Sequence, residues 1–367
     1  MAAGSVHQVG RPVPGRCLVV PQSSVLRNGS LPVVIDGDSK LRAGGIHIPL
    51  SSPLVGVGIA EIMAASLLDH THQGLAESPA NVTEAMDNLM AGLAKLKQDC
   101  EPVAWEHAIA YCRRHPVAQL ILNDPFTRRS FRKPRGYPGD AVLIDYIYSG
   151  DCRLSEAESV SQIGQQIFEY NRDTPACKAV RARRDVVRDA IDQLCERVAR
   201  PSILSVACGH LREAWMAHAV RAGRAGRFIG LDQDEMSIEV VRHELGPLGV
   251  VPVCNSIKAL FRGALADETF DLIYSTGLYD YLDDRLASKL TERLYRMLNP
   301  GGKLIVANFL PGIEGAGYME AFMDWKLIYR TREQMLALAA SLPAHCVQIN
   351  SFVEENKNIL FMEISRI

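Results

Sequence analysis

The chain has 367 residues, 47% of them hydrophobic, and a formal net charge of −2, enough to bury a large core in two domains, or in one with a substantial extension. So neutral a balance excludes a global field for nucleic acid or an anionic membrane surface. Nine scattered cysteines with no Cys-x-x-Cys pair point to a reducing, cytoplasmic setting; no apolar run approaches the ~18 residues of a membrane span, and the first residues lack the order of a signal peptide.

Residues 1–52 are rich in Gly, Pro and Ser with short β-like runs at 16–20 and 31–35, which predicts an irregular arm or small ribbon. Residues 53–173 follow a helical period and read as a lid or substrate domain. Asn81 with Glu84 and Ser155 with Glu158 fit capping boxes, and Thr174-Pro175 fits an N-cap followed by proline at the first helical position. The helix opened there carries Val180, Val187, Ile191, Leu194 and Val198 on one stripe, suited to packing on a sheet. Upstream of it, residues 126–140 (Phe-Thr-Arg-Arg-Ser-Phe-Arg-Lys-Pro-Arg-Gly-Tyr-Pro-Gly-Asp) are too dense in Gly, Pro and Arg for a plain connector. They read as a binding loop, with a solvated basic loop as the alternative, and Asp140 is placed to cap the helix that begins at Ala141. Basic residues cluster in this loop and at Arg181, Arg183, Arg184 and Arg188, which argues against nucleic acid as a partner.

From Ile203 onward strands and helices alternate, which predicts a parallel sheet covered on both faces. The first strand, Ile203 to Val206, runs into a turn at Ala207 and Gly209 whose small side chains let backbone approach a ligand. About 20 residues on, the second strand ends in Asp232, where a carboxylate can accept hydrogen bonds from both hydroxyls of a ribose. Asn255 and Ser256 follow the third strand and suit an adenine edge; the fourth strand ends in Tyr274-Ser275-Thr276-Gly277-Leu278-Tyr279-Asp280-Tyr281, and the fifth, after Asn299-Pro300-Gly301-Gly302, in Asn308-Phe309. Thr331 with Gln334 opens a helix, and 345–353 and 359–364 predict a terminal antiparallel pair.

Ligands in such sheets sit outside the carboxyl ends of the strands where strand order reverses. The candidates are therefore Ala207, Cys208, Gly209 and His210, then Asp232 and Gln233, Asn255 and Ser256, Ser275 and Thr276, and Asn308. Each has a structural alternative: Asp232 as a helix cap, Cys208 as an apolar filler, His210 as a surface residue at a helix end. The tyrosines Tyr274, Tyr279, Tyr281 and Tyr318 could offer ring faces to a cation or belong to the core. A dinucleotide-binding dehydrogenase also places an acid after its second strand, but the third glycine of its fingerprint is missing.

From about Arg181 to the C-terminus this series resembles the class I S-adenosylmethionine-dependent methyltransferases, with the Asn-Pro-Gly-Gly turn as the most specific mark. The family's usual acid and Gly-x-Gly-x-Gly are replaced by Ser205, Ala207, Gly209 and Leu211. The resemblance implies a Rossmann-like α/β sheet over 174–367 with a terminal antiparallel hairpin, preceded by a helical domain. It also implies S-adenosylmethionine as cofactor, a small-molecule substrate and no metal. Arg135 would clamp the methionine carboxylate, and Tyr137, Tyr279, Tyr281 and Asn308 would surround the reacting centre. The Arg135-Gly136-Tyr137-Pro138-Gly139-Asp140 loop, Asp145-Tyr146-Ile147-Tyr148 and Tyr170-Asn171-Arg172 resemble a narrower bacterial group over 110–367. Its members make 3-hydroxypalmitic acid methyl ester, an extracellular factor, and include azetidine-2-carboxylate synthases, which cyclise S-adenosylmethionine itself. The resemblance thus implies transfer of a methyl group to a small or fatty-acid-derived acceptor in secondary metabolism or signalling. Cyclisation of the cofactor to azetidine-2-carboxylate and methylthioadenosine is the alternative, mildly favoured by the missing acid at Ser205. A regulator that binds the cofactor without catalysis is a third reading, which the intact Gly209, Asp232 and Asn255-Ser256 oppose. No feature of the sequence bears on oligomeric state.

Overall fold

The computed structural model describes residues 33–36, 40–43, 46–49, 53–78, 81–150 and 160–367. The chain divides into two units, 1–55 and 56–367. In the first, β1 (Val33–Asp36), β2 (Lys40–Ala43) and β3 (Ile46–Pro49) form an antiparallel ribbon, so β1 takes up Val33 to Ile35 of the second expected β-like run. The run at 16–20 and the Ser155–Glu158 pair lie outside the described residues.

Eight helices then lead to the sheet: α1 (Pro53–Glu77), α2 (Val82–Asp99), α3 (Pro102–Arg114), α4 (Val117–Ile121), α5 (Pro125–Arg132), α6 (Ala141–Ser149), α7 (Gln162–Asp173) and α8 (Pro175–Arg197). Their ends explain several breaks. Asp124 accepts from the backbone N–H of Phe126 and Thr127 to start α5, and Asp140 accepts from that of Leu143 to start α6, as expected of N-cap carboxylates. Pro175 occupies the first turn of α8. Asn81 is different: its backbone is already helical and its side chain makes no capping bond, so the expected capping box with Glu84 does not form. The α8 stripe buries Val180, Val187 and Ile191, each contributing about 1.5–3 kcal/mol. Val198 falls on the C-cap and is 38% exposed, so Cys195 closes the stripe in its place.

The remaining elements alternate: β4 (Ile203–Val206), α9 (Arg212–Met216), α10 (His218–Arg221), β5 (Phe228–Asp232), α11 (Glu235–Glu244), β6 (Val250–Cys254), α12 (Ile257–Phe261), β7 (Phe270–Ser275), α13 (Asp284–Arg296), β8 (Leu298–Phe309), α14 (Ala316–Phe322), α15 (Arg332–Ala337), β9 (Val347–Val353) and β10 (Ile359–Arg366). The sheet order is β6-β5-β4-β7-β8-β10-β9. The first five of these strands run parallel, while β10 pairs antiparallel with both β8 and β9. This is the expected methyltransferase-like sheet with its terminal hairpin. Thr331 and Gln334 form the predicted capping box at α15. The Asn299-to-Gly302 turn is absorbed into β8 as an irregularity opposite Phe270, where Asn299 Nδ2 donates to Asp271 Oδ1 at 2.8 Å.

Both faces of the central strands are buried, as covered parallel strands require. Ile203, Leu272, Tyr274, Ile305 and Ala307 face one core with α8, while Leu204, Ile273, Leu304 and Val306 face the other with α13 and α15. This alternation decides which residues can reach a ligand. Order reverses between β4 and β7, so the switch point opens outside the carboxyl ends of those strands.

Candidate functional site

A cavity of about 480 Å³ opens at that switch point, within the size range of small-ligand sites. Its floor begins at the turn after β4. Ala207, Gly209 and Leu211 all take left-handed backbone conformations, with φ of 55°, 54° and 54°. For Ala207 and Leu211 this costs roughly 1–2 kcal/mol each, and three hydrogen bonds hold it: Cys208 N–H to Leu231 O (3.1 Å), Leu211 N–H to Cys208 O (3.0 Å) and Gly209 N–H to Asp232 Oδ2 (2.8 Å). Asp232 Oδ1 accepts from Asp234 N–H at 2.9 Å. The carboxylate at the end of β5 is therefore fixed beside the turn, and burial raises its pKa despite those bonds. The cap of α11 is Asp234, which leaves Asp232 free of that structural duty.

Gln233, Asn255, Ser256 and Thr276 join Asp232, Ala207 and Gly209 in the cavity wall. The 133–140 loop lies over them. Arg135 Nη1 donates to Asp234 Oδ2 (2.8 Å) and Ser237 Oγ (2.9 Å), and Tyr137 OH donates to Asp234 Oδ2 at 3.3 Å. Burial, with Asp234 and Asp232 adding to it, pushes the Tyr137 phenol far up, so it stays a neutral donor whose ring lines the cavity. Arg135 does not reach the cavity as a carboxylate clamp; its guanidinium is the latch that ties the loop to α11. Two glycines sit where an added side chain would crowd the cavity wall. A Cβ on Gly139 would sit 2.6 Å from Trp325 Cζ2 and 2.8 Å from Tyr281 Oη, and one on Gly209 would meet Ala141 Cβ at 3.3 Å.

The other expected site residues divide between the cavity and the core. Tyr281 lines the cavity and its hydroxyl accepts from Trp325 Nε1 at 2.8 Å. Tyr279 points the other way, fully buried beneath the sheet with its hydroxyl bonded to Thr291 Oγ1 at 3.0 Å. Ser275 Oγ donates to Val206 O at 2.9 Å, and the Asn308 side chain meets Arg330 at 2.8 Å and the Ile328 carbonyl at 2.8 Å. Ser275 and Asn308 face away because their strand neighbours Tyr274 and Phe309 hold the cavity side. Cys208 is buried as an apolar filler, its thiol pKa pushed well up by burial, with Asp232 and Glu213 adding to it. His210 is not a surface residue: it is 6% exposed and bonded through Nδ1 to Asp145 Oδ2 at 2.8 Å. Burial works against the Asp145 charge, but hydrogen bonds from His210 and Arg212 hold its pKa below the usual value.

Among the cavity-lining residues that the sequence did not single out as site residues are Arg183, Glu213 and Asp280. Glu213 Oε1 accepts from Tyr274 OH at 3.0 Å. Asp280 Oδ1 accepts from Phe309 N–H at 2.7 Å, and burial raises its pKa to about 6. The signal available for Asp280 was its position between two tyrosines. Among the described residues, no group of three His, Cys, Asp or Glu side chains is placed to hold a metal, and no helix is long and apolar enough to cross a membrane.

Residues 203–302 match the model of a methyltransferase domain. Two curated relatives are C-methyltransferases of ubiquinone and menaquinone biosynthesis. The one from Haemophilus ducreyi is 36% identical over 89 residues, 24% of this chain and 33% of the relative, and that from Hydrogenovibrio crunogenus is 35% identical over 95 residues, 25% and 36% respectively. The chain thus spans about a third of the length of the curated relatives it matches. A solved structure described as a possible exported protein from Bordetella parapertussis shares the fold, at 14% identity and a TM-score of 0.50, over 84% of this chain and 96% of that one. Residues 203–302 are therefore similar to a methyltransferase domain in sequence, and the chain shares the fold of the Bordetella parapertussis structure.

Proposed function

We propose that this chain is an S-adenosylmethionine-dependent methyltransferase acting on a small or fatty-acid-derived acceptor in bacterial secondary metabolism or signalling. The observation that carries the reading is Asp232, a carboxylate at the end of β5 pinned by Gly209 N–H on the cavity floor. It is placed to accept both ribose hydroxyls, with Asn255 and Ser256 beside it for the adenine. When bound, the cofactor supplies an electrophilic methyl group. The protein's part is to orient an acceptor, exclude water beneath the latched 133–140 loop and remove a proton. Asp280 suits the last task, because a carboxyl with a pKa of about 6 is ionised at neutral pH yet still basic enough to take a proton.

One observation favours a second reading, cyclisation of the cofactor. The strand-end position that usually carries an acid is Ser205, and Tyr137, Tyr281 and Trp325 wall the same cavity. Aromatic faces stabilise a sulfonium, and a neutral residue at 205 leaves the α-amine easier to deprotonate. Incubation with S-adenosylmethionine alone, followed by mass spectrometry, tests the proposal. Methyl transfer predicts a largely unconsumed cofactor until a hydroxy fatty acid or related acceptor is added, and S-adenosylhomocysteine thereafter. Methylthioadenosine above the enzyme-free background, without an acceptor, would replace it with cyclisation.

A further inference from the structure

We propose that Arg183 is the receptor for the carboxylate of the cofactor's methionine arm, a role that rests on the S-adenosylmethionine reading above. Arg183 lies on the inner face of α8, is 7% exposed and lines the cavity. Its Nη1 donates to the Thr276 carbonyl at 2.7 Å, while Nε is buried with no partner. The other arginines of this stretch are accounted for. Arg184 pairs with Asp185, Arg188 with Asp185 and Asp189, and Arg181 donates to the carbonyls of Ile147 and Arg172. Arg183 forms no ion pair among the described residues. A buried guanidinium cannot lose its proton, and its desolvation is offset when an anion sits against it; Arg183 shares a hydrogen bond with the Tyr148 phenol but has no carboxylate partner among the described residues, and it lines the cavity, so the ligand supplies that anion.

The surroundings specify an amino-acid head group over a simple anion. Glu213 and Asp280 both feel the charge of Arg183, but each is already engaged, by Tyr274 OH and Phe309 N–H respectively. Both carboxylates line the same cavity as Arg183, so a bare anion bound there is repelled by them. A zwitterion brings its own ammonium to face Glu213 or Asp280 while its carboxylate takes the planar fork of Arg183. The spacing agrees. Asp232 ends β5 and Thr276 follows β7, with β4 between them, so the two anchors stand two strand spacings apart, about 10 Å. The C5′–S–Cγ–Cβ–Cα chain of one ligand is long enough to span that separation.

Calorimetric titration with S-adenosylhomocysteine and with 5′-methylthioadenosine, which keeps the adenosine and sulfur but lacks the amino-acid head, tests the assignment. Wild-type protein is expected to prefer S-adenosylhomocysteine by at least ~10-fold, the scale of a charge-assisted hydrogen bond. Arg183→Met should erase that preference while leaving methylthioadenosine affinity unchanged, which a merely structural role would not do. Arg183→Gln, which retains an amide N–H for the Thr276 carbonyl, should behave alike and serves if the methionine variant does not fold. A preference that survives in either variant, or equal binding of both ligands by wild type, overturns the assignment and leaves the cofactor reading standing. Failure of wild type to bind either ligand sinks the cofactor reading itself.

Discussion

Replacing Asp232 with alanine isolates the ribose anchor. The carboxylate accepts two backbone N–H groups, from Gly209 and Asp234, and is free to accept from the ribose. Loss of a charge-assisted bond to the ligand should weaken S-adenosylhomocysteine binding by about 1.5–3 kcal/mol, a ~10- to 150-fold rise in Kd. Of the two orphaned N–H groups, that of Gly209 borders the open cavity and that of Asp234 belongs to a half-buried residue, so the cost to folding should stay near about 1–2 kcal/mol and the domain should remain folded. Calorimetric titration beside a thermal melt separates the two effects. A folded variant with wild-type affinity would remove Asp232 from the site.

Arg135→Ala breaks a latch whose side chains are 7% and 10% exposed, so proteinase K, which needs no basic residue, should cut the 126–140 segment faster than in wild type and cofactor affinity or turnover should fall; equal cleavage and wild-type function would refute the lid. Replacing Tyr137 or Tyr281 with leucine should lower turnover more than cofactor affinity if their rings face the sulfonium, and steady-state kinetics with a binding titration checks the split. Asp280 keeps its proton up to about pH 6 when folded but releases it near 3.8 when unfolded. Folding therefore takes up a proton between those values, and stability from this group falls as pH rises through that window, by at most about 3 kcal/mol. Asp280→Asn should accordingly gain on wild type in melting temperature from pH 4 to 7, and a difference that does not vary with pH would contradict the burial argument.

The sheet half was legible because its signals are local: small residues where the turn after β4 takes left-handed φ, an acid at the end of β5, and a polar break between the two terminal strands. The face a residue presents was harder to read. Asn308 and Ser275 carry suitable chemistry but sit one position out of phase with Phe309 and Tyr274, and a shift of one residue in a strand moves a side chain to the opposite face. The surroundings of Arg135 and Arg183 were hidden for a related reason. The loop arginine was expected to clamp a carboxylate, yet Asp234 and Ser237 close on it; the helix arginine read as one of a basic cluster, yet among those four it is the one that lines the cavity. Such pairings join segments about a hundred residues apart, and no periodicity within a segment encodes them.

The central claim is that this cavity holds S-adenosylmethionine, and competitive calorimetry tests it most directly. S-adenosylhomocysteine should bind wild-type protein with one-to-one stoichiometry and be displaced by S-adenosylmethionine, while NAD produces no heat. Binding of NAD with no response to S-adenosylhomocysteine would contradict the account, because Asp232 would then be anchoring a different nucleotide.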